Sequence, residues 1–148
     1  MTDGPSLLAR TVQALQDSGR LVRTDWETET FDVLPEQDGG EPTAGVVLSA
    51  TNSVVFYAVW PDTVPPPRRE AVAAYTVRAN TGLATSAFEF GPATGILSVR
   101  AGIEFGDLAE TIDGAVLQAL LVATLDEVEH VAEEHRTEVA ALLGADLP

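Results

Sequence analysis

Two histidines and three closely spaced carboxylates are the residues of this 148-residue chain whose types suggest chemistry. His130 and His135 stand in the run EHVAEEH, on a stretch that reads as helix. Five positions apart on a helix, they point about 140° away from each other, whereas helical metal ligands stand three or four apart. The ligand set is incomplete as well, since the chain has no cysteine and no HExxH. No metal site is expected, and a solvated acidic face accounts for His130 and Glu134. Asp25, Glu27 and Glu29 share one face of a stretch that alternates as a strand. Carboxylates do acid–base work where an apolar pocket raises one pKa, and the sequence indicates no such pocket here. A phosphate-binding Gly-x4-Gly-Lys loop, a dinucleotide fingerprint and a Gly-x-Ser-x-Gly elbow are all absent, and there is no thiol nucleophile. The expectation is a protein without catalytic residues or cofactor that works through its surfaces.

Five residues are candidates for such a surface. Trp26, Tyr57 and Trp60 are large side chains of the kind that anchor interfaces. They are equally ordinary core residues, and each counts as a binding candidate only if it stands exposed. Arg68 and Arg69 open a helix, where each cation opposes the macrodipole by ~0.3–1 kcal/mol. A nearby carboxylate or a partner would explain them, and so would plain solvation.

Charge narrows the partners. The net charge is −15, and all 8 basic residues are arginine. Seven carboxylates and no base lie between Asp25 and Glu41, and eleven carboxylates against Arg136 alone lie beyond Ala101. Such a surface repels nucleic acid and anionic membranes and attracts a cationic protein, although acidity also serves plain solubility. The start of the chain lacks a basic segment followed by an apolar run, so no secretory signal is expected. The apolar stretch Gly114 to Leu125 is too short to span a bilayer. Absence of cysteine suits a cytoplasmic location.

The length fits one domain, 1–148. Asp3-Gly4-Pro5-Ser6 starts a short amphipathic helix over 5–18, which Gly19 stops. Leu21 to Thr30 alternates as a half-buried strand whose register breaks near Thr30, as at a bulge or a strand end. After a loop at 35–43, Ala44–Ala50 and Ser53–Trp60 read as two strands. The second is apolar on both faces, so a second subunit or a bound segment would cover one of them. The proline-rich 61–67 leads into a helix that Asn80-Thr81-Gly82 ends. Thr85–Phe90 and Ile96–Ala101 form a hairpin around Gly91–Gly95, with a further short strand at Ile103–Phe105. From Asp107 to Gly144 the pattern is helical, in one piece or two. Val116 to Leu125 carries more apolar surface than a surface helix needs, which places it in the core or at a subunit contact.

The expected class is therefore α+β: a helix, a three-stranded antiparallel meander, a helix, two or three further antiparallel strands and a long C-terminal helix. This order resembles the type III secretion chaperone-like fold. Residues 68–105 are similar to the YbjN family of that fold. The helix ends Arg78-Ala79-Asn80, a strand with a central aromatic follows at Ser86-Ala87-Phe88, and a strand ending in Arg follows at Gly95–Arg100. The 35–43 loop and the acidic last helix depart from that pattern. The resemblance implies a homodimeric, chaperone-like bacterial module that binds a protein client and has no catalytic residues to carry over. The acidic surface adds that the client is basic, for instance a nucleic-acid-binding protein. Two other classes fit the same sequence: a regulatory or sensory module that binds a small ligand, and an acidic mimic of DNA.

Overall fold

A computed structural model describes residues 4–145. Asp3, assigned above to the first helix start, lies outside the described residues. Helix α1 (Leu7–Asp17) begins where the Ser6 hydroxyl accepts from the Ala9 N–H at 3.1 Å, filling one of the unpaired donors of the first turn. It ends at Ser18, and Gly19 turns the chain away with φ 96°. Leu8, Val12 and Leu15 are buried along one stripe.

The stretch expected as a single strand from Leu21 to Thr30 is instead a hairpin. Strand β1 (Val22–Asp25) pairs antiparallel with β2 (Thr30–Val33), Val22 opposite Val33 and Asp25 opposite Thr30. The reversal needs no glycine. Asp25 Oδ1 accepts from the N–H groups of Glu27 and Thr28 at 3.0 and 3.2 Å, and Glu29 takes φ 56°. The register break at Thr30 is therefore the start of a second strand. It turns Phe31 and Val33, which would share the acidic face of one continuous strand, into the core.

Strands β3 (Thr43–Leu48) and β4 (Ser53–Val59) follow, then helix α2 (Arg69–Asn80), the hairpin β5 (Ala87–Gly91) and β6 (Ile96–Glu104), and helices α3 (Gly114–Glu134) and α4 (Arg136–Ala140). Short 3-10 turns at Pro66–Arg68 and Gly106–Glu110 precede α2 and α3. The six strands form one antiparallel sheet in the order β1-β2-β3-β4-β6-β5. The α+β class stands as expected, with one strand more in the meander. Ile103 belongs to a continuous β6, and the expected helical region is interrupted at 111–113, between the 3-10 turn and α3, and again at His135, before α4.

The chain divides into two compact units. The first holds everything up to Phe56 together with Gly102–Asp126. Its core joins Leu15, Phe31, Val33, Phe56, Leu117 and Leu121, all nearly inaccessible, and the Phe31 and Phe56 rings meet edge to face at 5.8 Å. Burying a side chain of this kind contributes ~1.5–3 kcal/mol. Gly45 lies opposite Phe31, whose ring covers it: a β-carbon there would fall 2.2 Å from the ring. Arg10 ties α1 to the segment before α3, donating to the carbonyls of Ala109 and Ile112, and Gln118 donates to the Ala14 carbonyl at 3.1 Å.

The second unit holds Tyr57–Ala101 and the chain from Glu127 onward. Val64, Val72, Leu97, Val99, Val128 and Val139 are inaccessible within it. Val64 N–H donates to Gly95 O at 2.8 Å, and Trp60 N–H to Leu97 O at 2.9 Å, fastening the proline-rich connection to β6.

Candidate functional site

Asn80 closes helix α2 and does more than end it. Its Oδ1 accepts from the Phe88 N–H at 2.7 Å, and its Nδ2 donates to the Phe88 carbonyl at 3.1 Å. Strand β5 is the edge of the sheet, so these two Phe88 groups point away from β6. A side-chain amide thus pairs with them as a neighbouring strand would. Phe88 itself is buried among rings, 6.0 Å from Trp60, 5.8 Å from Tyr75 and 5.0 Å from His135, centroid to centroid. The aromatic strand and the terminal asparagine are thus one packing device.

Tyr75 and His135 complete that cluster. The Tyr75 hydroxyl hydrogen-bonds His135 Nδ1, at the break between α3 and α4. Burial pushes the Tyr75 pKa up to about 12; the nearby Glu138 carboxylate adds to the rise as hydrogen-bond acceptor and as charge, and Arg78 opposes it. The phenol therefore stays neutral well above neutral pH. His130 is a separate case, exposed and 3.7 Å from Glu134. Among the described residues no group of three His, Asp or Glu side chains is arranged to hold a metal ion.

The five candidate interface residues are divided between the two units. Trp26 belongs to the first unit, in the turn between β1 and β2, and is 59% exposed. Tyr57 is half-buried on β4, and Trp60 is half-buried beside Phe88. Arg69 is a tether. Its Nε donates to Val64 O at 3.0 Å, and its Nη1 reaches Pro92 O at 3.2 Å and Ala93 O at 3.1 Å. The guanidinium thereby meets three carbonyls, one in the connection before the helix and two in the β5–β6 turn, which offsets the conflict with the macrodipole. Gly95 permits this approach: with φ +77°, a β-carbon there would lie 2.7 Å from Val64 O and 2.9 Å from Arg69 Nη2. Arg68 is half-buried, and its guanidinium has no hydrogen bond or ion pair among the described residues.

One surface lies where burial is expected from the sequence. Leu117, Leu121 and Leu125 of α3 are buried, but Val116 and Leu120 stand 50% and 41% exposed. Ala115, Ala119 and Ala123 are exposed beside them. The signal is present in the sequence as apolar residues on every side of the helix over these turns. Only the choice between core and contact is left open by it. Among the described residues no helix is long and apolar enough to cross a membrane.

No protein-family model matches the chain, and no curated protein matches it in sequence. A solved structure does: the crystal structure of YbjN from E. coli, a candidate transcription regulator. The match covers 90% of this chain and 93% of that one, with a TM-score of 0.66 and 15% identity. The chain has a YbjN-like fold.

Proposed function

We propose that the chain is a non-enzymatic, chaperone-like adaptor that binds a basic protein client as a homodimer. The observation that carries this reading is Trp26, 59% exposed in a turn flanked by Asp25 and Glu27. A large apolar ring displayed in water among carboxylates costs hydration and returns it on docking a cationic, apolar partner. The net charge of −15 favours such a partner and steers its approach. The likeness to YbjN supports a regulatory setting for the same reading. Because the surface repels nucleic acid, regulation would run through a DNA-binding protein and not through contact with DNA.

The test is affinity capture from the source cells by the wild type and by Trp26→Ala. The expected result is a small set of basic clients held by the wild type, weakened by salt, and reduced about thirtyfold or more in affinity by the substitution. A client set indifferent to both salt and Trp26→Ala would sink the reading. Light scattering at micromolar concentration checks the homodimer, and a monomer there removes that part.

A further inference from the structure

The first three turns of α3 present an outward face without a charge. Val116 and Leu120 are 50% and 41% exposed, with the exposed alanines 115, 119 and 123 alongside. Leu108, in the preceding 3-10 turn, is 65% exposed. The alanines recur at intervals of four, next to a parallel row formed by Val116 and Leu120. Such a low row beside a high one is a groove and ridge of the kind that receives another helix, and small residues let the two axes come close. The face runs about 12 Å at 1.5 Å per residue. Helix α3 is fixed from behind by Leu117, Leu121 and Leu125, and the Asp113 carboxylate caps its start, accepting from the Ala115 N–H at 2.9 Å. The face is therefore a rigid one.

Charge selects the occupant. Asp107, Glu110 and Asp113 stand exposed at the start of the helix, and Asp126 stands exposed past the end of the apolar face. No lysine or arginine occurs from Ala101 to His135. Among the described residues none of these four carboxylates is ion-paired. A second copy laid on this face would bring carboxylate against carboxylate whether the helices ran parallel or antiparallel, which is destabilising. A helix with an apolar stripe and cationic ends meets both demands.

We propose that this face of α3 is the docking site for an amphipathic helical segment of the client, with lysine or arginine near both ends of its apolar stripe. The proposal rests on the adaptor reading above and gives that reading a second, separate surface. From Asp113 to Asp126 the axial distance is about 20 Å, so the basic ends of the segment lie about thirteen residues apart.

The test uses the full chain and a fluorescent 18-residue helical peptide with leucines at intervals of three and four and lysines at both ends. Binding is read by anisotropy at low salt. The wild type binds the peptide. Val116→Glu with Leu120→Glu, two exposed positions, weakens binding at least about tenfold while circular dichroism is unchanged. A peptide with glutamates in place of the end lysines also binds at least about tenfold more weakly. The assignment is overturned if the wild type fails to bind, or if the double variant or the glutamate peptide binds equally well. It is also overturned if sedimentation shows wild-type dimers that the double variant dissolves, since the occupant is then a second copy. If Trp26→Ala abolishes client capture while the double variant keeps peptide affinity, the adaptor reading stands and this site falls.

Discussion

Asn80 answers both main-chain groups of Phe88 with one side chain, and no other residue type of its size offers a donor and an acceptor so spaced. Asn80→Ala leaves a part-buried N–H and carbonyl unpaired, and urea unfolding should show a loss of ~1–3 kcal/mol. Asn80→Asp keeps the acceptor but sets a carboxylate oxygen against the Phe88 carbonyl, so it should cost at least as much. Tyr75 makes a different kind of claim on stability. Its pKa, about 12 in the folded chain, lies above the unfolded value of about 10. The unfolded chain therefore loses this proton first as pH rises. The contribution is fully present below about pH 10 and is lost between there and about pH 12. The chain has no lysine and no cysteine to titrate in that window. Urea unfolding at intervals from pH 9 to 11.5 should show a steeper decline for the wild type than for Tyr75→Phe. Parallel profiles would refute the assignment.

At the level of elements, the β5–β6 turn is held from outside by Arg69. Arg69→Ala should destabilise by ~1–3 kcal/mol and speed hydrogen exchange across Gly91–Gly95, whereas Arg68→Ala should stay within ~0.5 kcal/mol. The two arginines are neighbours in sequence and alike in composition, so local preference marks both and separates neither. Sequence reasoning reads α1, α2 and the β5–β6 hairpin correctly because each has its own punctuation: Ser6 and Gly19, Asn80, and Gly91 with Gly95. It misses the β1–β2 reversal because Asp25 makes that turn with its side chain, while Trp26 to Glu29 contains neither glycine nor proline. It locates an apolar excess in α3 but not its outward direction, because a helix apolar all round carries no phase. The Tyr75–His135 contact joins positions sixty residues apart, a distance that no local pattern encodes.

For the molecule as a whole, a net charge of −15 on 148 residues means self-repulsion in the folded state. Raising NaCl from 10 to 150 mM should raise Tm by a few degrees as the Debye length contracts to about 8 Å. An unchanged Tm would mean that the carboxylates are already far enough apart to ignore one another. The sheet sets a further limit on assembly. A sheet polymerises only when both outer strands accept a neighbour, and here the β5 side carries an internal stopper, the Asn80 amide seated on Phe88. Strand-to-strand growth is thereby left with at most one end, at β1. Two chains joined through that end would have no second site to propagate from, so pairing of this kind terminates at a closed pair and does not run on into a fibre.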